Sequence, residues 1–138
     1  MESTRSWFVA CSVVVLCAVL AGCAGQHRKL SGAVYANNVP IYKNLEPRHQ
    51  MGGHYEDENG ATVSQSQTWF FEVSGSREQI VEFYKQKFPE ATMSNEPDGD
   101  VLFTSVPKDA EDGESVWVGV DDDGFRIGES CKPGKIKS

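Results

Sequence analysis

The chain has 138 residues and carries 20 acidic and 13 basic side chains, which gives a net charge of −7. This balance argues against nucleic-acid binding, because proteins that bind nucleic acid need a basic face. The length is enough for one domain with one modest core.

The first residues have the layout of an export signal. A polar start carrying Arg5 precedes an almost wholly apolar run from Trp7 to Leu20, and the composition turns polar after Cys23. A spanning helix needs about 20 apolar residues, so this run is too short for a membrane anchor of that kind. A charged start, a short apolar stretch and small residues before a cut are typical of a cleaved signal.

The four residues Leu20-Ala21-Gly22-Cys23 resemble the lipobox of bacterial lipoproteins. The resemblance implies cleavage between Gly22 and Cys23 and a diacylglyceryl group on the Cys23 thiol, with a further N-acyl chain such as palmitate. A thiol suits this role because its thiolate is a strong nucleophile near neutral pH. Two acyl chains hold a protein stably on a bilayer. Residues 1–22 are therefore predicted to be a lipoprotein signal peptide.

The resemblance also gives an address. Ala24 follows the lipidated Cys, and the family retains proteins in the inner membrane through Asp at that place, so it implies the outer membrane, facing the periplasm. Residues 23–34 lack periodicity and are predicted to be the lipidated Cys and a tether. His27, Arg28 and Lys29 in this tether either contact lipid headgroups or keep the segment soluble.

The four cysteines leave no internal disulfide in the mature domain. Cys11 and Cys17 belong to the signal and Cys23 takes lipid, so Cys131 is alone. Cys131 shares strand parity with Phe125 and Ile127, which favours a buried hydrophobe; a reactive thiol or an intermolecular bridge is the alternative.

Extended segments come first in the mature chain. Pro40 biases Val39-Pro40-Ile41-Tyr42 away from helix. Asn59-Gly60 lies between the extended segments 51–56 and 61–74, and Asn-Gly is a strong hairpin signal. In the second segment Trp69 and Phe71 share one face, which is expected to be buried.

One helix is predicted from Arg77 to Phe88. Ser76 and Gln79 form a capping box at its start, and Pro89 ends it. Four apolar residues fall within one quadrant and Phe83 lies beside it; the four are Ile80, Val81, Tyr84 and Phe88. This stripe is expected to lie across the sheet and to bury Trp69 and Phe71.

Four further strands are predicted after the helix, at residues 91–95, 101–106, 115–120 and 125–129. The order is β-β-α-β-β-β-β, so the fold class is α+β, with an antiparallel sheet of about five to six strands and one helix packed on one face. In the strand at 115–120 one face is apolar and the other carries a lone Trp117. The single domain is predicted to span residues 35–131, followed by a basic, frayed tail at 132–138.

The run from Trp69 to Pro89, together with Val39-Pro40-Ile41-Tyr42, resembles small uncharacterised bacterial envelope domains. These domains place an extended Val-Pro-x-Tyr segment before a strand, a Ser-capped turn and a Phe-Tyr-Lys helix. The resemblance implies a fold and carries no catalytic residue.

The residue pattern does not predict an enzyme. The histidines are His27, in the tether, and His49 and His54, near a strand start, with no nucleophile placed beside them. The turn at 121–124 could offer oxygens to Ca²⁺, but the twelfth place of an EF-hand counted from Asp121 is Lys132 rather than Glu. No cofactor is expected apart from the covalent lipid, and Ca²⁺ stays an alternative.

The charges are unevenly distributed. Residues 96–123 hold ten acids and one base, while residues 126–138 hold four bases and one acid. The acids either give solubility or form a docking face for a basic partner. The residues predicted for that face are Asp109, Asp121, Asp122 and Asp123.

Two functions follow as hypotheses. The first is a non-catalytic accessory or adaptor lipoprotein of the cell envelope, which binds an envelope protein or a cell-wall polymer. The alternative is an envelope protein that binds a small ligand or Ca²⁺. A cavity between helix and sheet, lined by Tyr84 and Trp117, would favour a ligand, and a filled core would favour the adaptor.

Overall fold

The computed structural model describes residues 28–75 and 77–136. Its strands are β1 (His49–Glu56), β2 (Thr62–Glu72), β3 (Thr92–Asn95), β4 (Val101–Ser105), β5 (Ser115–Val120) and β6 (Gly124–Cys131). One α-helix, α1 (Arg77–Lys87), and two 3₁₀ turns, Ala36–Asn38 and Tyr42–Asn44, complete the described elements.

All six strands form one antiparallel sheet in the order β1-β2-β6-β5-β4-β3. Strands β3 to β6 follow one another as a meander, and the β1–β2 hairpin joins them because β2 pairs with β6. The predicted hairpin at Asn59-Gly60 is confirmed: Gly60 has a φ of 79°, and Asp57 N–H bonds the Ala61 carbonyl at 2.9 Å. The α+β class is therefore confirmed at the level of an antiparallel sheet with one helix.

One face of the sheet carries the hydrophobic core. Side chains alternate between faces along a strand, and Trp69, Phe71, Phe103, Val118 and Ile127 all lie on the buried side. We call this the covered face. The helix adds Tyr84, which is 0% exposed and whose ring centroid lies 5.9 Å from Phe103 and 5.7 Å from Phe125.

The rest of the cover comes from the N-terminal segment, residues 28–48. Six of its side chains are buried against the core: Leu30, Tyr35, Ala36, Val39, Ile41 and Tyr42. The expected tether is therefore too long, since Leu30 is only 3% exposed and residues 28–34 pack on the domain. Short, irregular stretches of this kind have no hydrophobic period, so their burial was not visible in the sequence.

Residues 132–136 are also attached to the domain, and the expectation of a frayed tail is wrong for this part. The Lys135 ammonium lies 2.7 Å from both Glu111 and Glu114 carboxylates. The Lys132 N–H donates to Glu114 at 2.8 Å. Charge pairing of Lys135 and packing of Ile136 against the core both attach this segment.

Among residues 28–75 and 77–136 there is no helix with the length and apolar character needed to cross a bilayer.

Candidate functional site

The predicted lipidation and cleavage residues, Gly22 and Cys23, lie outside the residues that the structure describes. The same holds for Ser76, the predicted helix N-cap. The described residues begin at Arg28, whose backbone N–H donates to the Asn44 side chain at 2.8 Å and whose guanidinium pairs with Glu46 at 2.7 Å.

The four acids predicted to form a docking face do not come together. Asp109 lies in the β4–β5 loop, and Asp121, Asp122 and Asp123 lie in the β5–β6 turn. These connections are at opposite ends of β5, which is about 17 Å long at 3.3 Å per residue. The four residues therefore lie in two separate groups, and a docking face made of all four stays a prediction.

Two of these acids are also engaged by arginines. Arg126 lies 3.2 Å from the Asp121 carboxylate and 2.9 Å from Asp100 in the β3–β4 turn. Arg77, at the start of α1, pairs with Asp122 at 3.3 Å and donates to the Gly99 carbonyl. Ion pairs with Arg126 and Arg77 thus fix the acidic turns at this end of the sheet to the domain.

Glu129 is a buried carboxylate that holds the N-terminal segment. It is 0% exposed and accepts the backbone N–H groups of Val34, Tyr35 and Ala36 at 2.6–3.2 Å. The Gln67 amide donates to it at 2.6 Å. These N–H groups lie at the start of a 3₁₀ turn, where backbone donors lack partners within the turn, so Glu129 acts as an internal cap.

Glu114 forms a second buried cluster. Its carboxylate accepts from the Tyr35 hydroxyl and the Lys135 ammonium, each at 2.7 Å. Burial raises the pKa of Glu114, but the hydrogen bonds from Lys135, from the Glu111 and Lys132 N–H groups and from Tyr35 outweigh it and lower this pKa to about 2. Glu114 is therefore ionised, and its oxygens already accept several hydrogen bonds, as is typical of a carboxylate with a structural role.

Cys131 lies between these two carboxylates and is buried, as predicted. Burial, with the negative charges of Glu129 and Glu114, raises the pKa of its thiol to about 12. The thiolate is the reactive form of cysteine, so this thiol is protonated and unreactive near neutral pH.

The histidines of β1 point in different directions. The His49 ring stacks on Phe70, with centroids 4.4 Å apart, while His54 pairs with Glu56 at 3.1 Å. Residues 49 and 54 have opposite parity on the strand, so they point to opposite faces. Within residues 28–75 and 77–136, no three His, Cys, Asp or Glu side chains are grouped as metal ligands would be.

Tyr84 and Trp117 do not line a common cavity. Tyr84 is buried between helix and sheet, whereas Trp117 pairs with Gly128 and Thr104 on the opposite face. A hollow of about 540 Å³ occurs instead at the end of the helix, between Val39, Phe88 and Val106. The core below Tyr84 is filled by aromatic rings.

The other side of the sheet, which we call the open face, has no helix over it in the described part of the chain. Two rows of paired residues cross all six strands there. The first row is His49, Phe70, Arg126, Gly119, Leu102 and Ser94. The second row is Met51, Thr68, Gly128, Trp117, Thr104 and Thr92.

Two glycines in these rows are covered by flat side chains. A Cβ placed on Gly128 would overlap the Trp117 indole, and a Cβ on Gly119 would lie 2.8 Å from Cζ of Arg126. Trp117 pairs with Gly128, and Arg126 pairs with Gly119 on the neighbouring strand. Each side chain therefore lies over the glycine with which its own residue pairs. The indole and the guanidinium therefore lie side by side on the sheet, with Cζ 5.9 Å from the ring centroid.

We call Trp117, Arg126, Gly119 and Gly128 the platform. The sequence predicts that Trp117 is the one large side chain on its face of the strand. It does not predict which residue the indole lies over. The platform could have been predicted from the glycines inside two adjacent strands. Glycine weakens a strand, and it often marks a place where another group approaches the backbone closely.

The chain matches no family model, no curated protein and no solved structure. Its function is therefore argued from the geometry of its own residues.

Proposed function

We propose that this protein is a lipid-anchored binding module of the bacterial cell envelope, non-catalytic, which presents the open face of its sheet to a partner. The observation that carries the binding role is the difference in cover: helix and N-terminal segment fill one face, and the open face displays Trp117 and Phe70, both half-buried. Uncovered aromatic surface on a small domain marks an interaction site.

The titratable groups support a role without catalysis. A general acid or base needs a pKa near the working pH. Glu114 is held at about 2 and the Cys131 thiol at about 12. Both groups are buried, so they serve the interior of the domain rather than a substrate.

The anchor rests on Leu20-Ala21-Gly22-Cys23 and the implied address is the outer membrane, facing the periplasm. Packing of residues 28–34 shortens the tether that we expected. Cys23 lies five residues before Arg28, so the lipid is within about 18 Å of the domain at 3.6 Å per residue. The described chain begins beside Asn44 and Glu46, in the segment that packs on the covered face.

Metabolic labelling with a fatty-acid analogue tests the anchor. The chain should incorporate the label, and Cys23→Ser should lose it and keep the uncleaved N-terminal segment. Cys131→Ser is the matched control, because it removes the other cysteine of the mature chain and should keep full label. Undiminished label in Cys23→Ser would refute the lipoprotein assignment.

Cross-linking in cells tests the binding role. A photoreactive residue at Thr104, beside Trp117 on the open face, should form adducts with a partner. The binding role fails if position 104 forms none while a position on the covered side does.

A further inference from the structure

We infer that the platform on the open face binds an uncharged polysaccharide, with the apolar face of a sugar ring stacked on the Trp117 indole. This inference names the partner class for the binding module proposed above and rests on that proposal.

The Trp117 indole is held in a fixed position on the sheet. The indole occupies the space that a Gly128 side chain would fill, so one ring face is against the sheet and the other faces outward. Glycine inside a strand is destabilising relative to alanine, and here two adjacent strands carry it. The result is a flat, rigid aromatic surface, which loses little conformational entropy on binding.

The position of Arg126 leaves that outward ring face available. Both the guanidinium and the indole contact the layer where the glycine Cβ atoms would be. A guanidinium stacked above the indole would stand about 3.5 Å or more higher, at van der Waals distance. Arg126 therefore borders the ring and does not cover it.

The ring face suits the carbon-bound hydrogens of a sugar. An aromatic ring is electron-rich over its face, and the hydrogens on one side of a pyranose ring are weakly positive because its carbons carry oxygen. Hydroxyl side chains surround the ring and can exchange hydrogen bonds with sugar hydroxyls. These neighbours are Thr68, Thr104, Ser115 and Ser130, all on the open face by register.

The charges favour an uncharged ligand. Arg126 is the cation of the platform, and it is already bound by Asp100 at 2.9 Å and Asp121 at 3.2 Å. The chain as a whole carries −7, which repels polyanions. Anionic polysaccharides and lipid headgroups are therefore disfavoured.

The spacing of the rings favours a chain of sugars over a single one. Phe70 lies on β2 and Trp117 on β5, with β6 between them. The Trp117 ring lies over Gly128 on β6, one strand from Phe70 and two residues along it, so the two rings are about 8 Å apart at about 4.8 Å between strands and 3.3 Å per residue. An extended glycan can contact the Trp117 ring and the exposed part of Phe70, one face of which stacks on His49.

The test uses the full chain extracted in mild detergent and two probes, the β-1,4-linked hexasaccharides of glucose and of N-acetylglucosamine. Calorimetry should show binding of at least one of them. Trp117→Ala should weaken that binding at least tenfold. Gly128→Ala should also weaken it, because the new methyl group lifts the indole from the sheet while the indole itself remains.

Tyr55→Ala is the matched control. Tyr55 is an aromatic residue on the same face, 74% exposed and on the outer hairpin away from the platform, so its loss should leave affinity unchanged. Thermal melts of each variant establish that it is folded. Failure of both hexasaccharides to bind at millimolar concentration would overturn the inference, and so would unchanged affinity in folded Trp117→Ala.

The outcomes separate this inference from the proposed function. If cross-links from position 104 reach only a protein and neither sugar binds, the binding module stands and the polysaccharide is wrong. If sugar binds but Cys23→Ser keeps full lipid label, the platform stands and the lipoprotein assignment is wrong.

Discussion

The two faces of the sheet each carry a tryptophan, and the two are used in opposite ways. Trp69 on the covered face is 1% exposed and packs under the N-terminal segment and the core. Trp117 on the open face is half-buried, and its ring lies on a glycine. The first tryptophan holds layers together, and the second has no layer above it in the described part of the chain. The first ring is therefore part of the core, and the second lies on the face that we propose for binding.

Replacement of each tryptophan by alanine should give the largest contrast. Trp69→Ala should lower the free energy of unfolding by about 3–5 kcal/mol, the usual cost of emptying a large core site. Trp117→Ala should cost about 1 kcal/mol or less, as expected for a cross-strand contact. Urea unfolding of both variants measures the difference. Equal losses would show that the open face is part of the core.

The N-terminal segment provides the next test. Glu129→Gln keeps one oxygen acceptor but loses the charge that three backbone N–H groups bond. Hydrogen bonds to a charged group are worth about 1.5–3 kcal/mol each, so we expect a loss of about 2–3 kcal/mol. Glu46→Gln, in an exposed ion pair, should change stability by less than about 1 kcal/mol. A Glu129→Gln chain as stable as Glu46→Gln would contradict the capping role.

Glu114 gives a pH dependence with a defined sign. Its pKa is about 2 in the folded state against a usual 4.5, so the unfolded chain binds its proton first as pH falls. The stability it contributes is present above about pH 4.5 and is lost as the pH falls towards 2. In Glu114→Gln the free energy of unfolding should therefore depend less on pH across this pH range. The difference between wild type and variant, from denaturant melts at each pH, isolates this residue.

Lys135→Met sharpens the same test. It removes a donor that lowers the Glu114 pKa, so the folded-state pKa should rise towards 4.5 and less stability should be lost on acidification than in wild type. Lys108→Met, in an exposed loop, should leave the acid limb in place. An unchanged acid limb in Lys135→Met would show that residues 132–136 are not fixed to Glu114.

Some parts of this fold could be predicted from the sequence, and others could not. Alternation in the strands, the Asn-Gly turn and the helical stripe are local periodic signals, and they predicted the sheet and its helix. Burial of Leu30, Tyr35 and Ala36 is not periodic, because this segment is irregular and is held by Glu129, more than ninety positions away. The acids predicted to form a docking face lie in two groups for a related reason: Asp109 and Asp121 are close in sequence, but β5 separates them.

The smallest expected effects concern these acids. Asp109→Asn should change stability by less than about 0.5 kcal/mol, as exposed substitutions do. Asp121→Asn should cost about 0.5–1 kcal/mol more, since Asp121 accepts the N–H groups of Asp123 and Gly124 as well as Arg126. Thermal melts of the two single variants, with Ca²⁺ and with chelator, measure this. A Ca²⁺-dependent rise in melting temperature that Asp121→Asn abolishes would restore the Ca²⁺ hypothesis.

We propose that the open face binds a partner, while the covered face holds the fold. Photo-cross-linking in cells tests it most directly, with a photoreactive residue at Thr104 on the open face and, in a second chain, at Lys85 on the exposed side of the helix. We expect adducts with a protein or a glycan from position 104, fewer of them in Trp117→Ala, and none from position 85. Adducts from position 85 alone would contradict it.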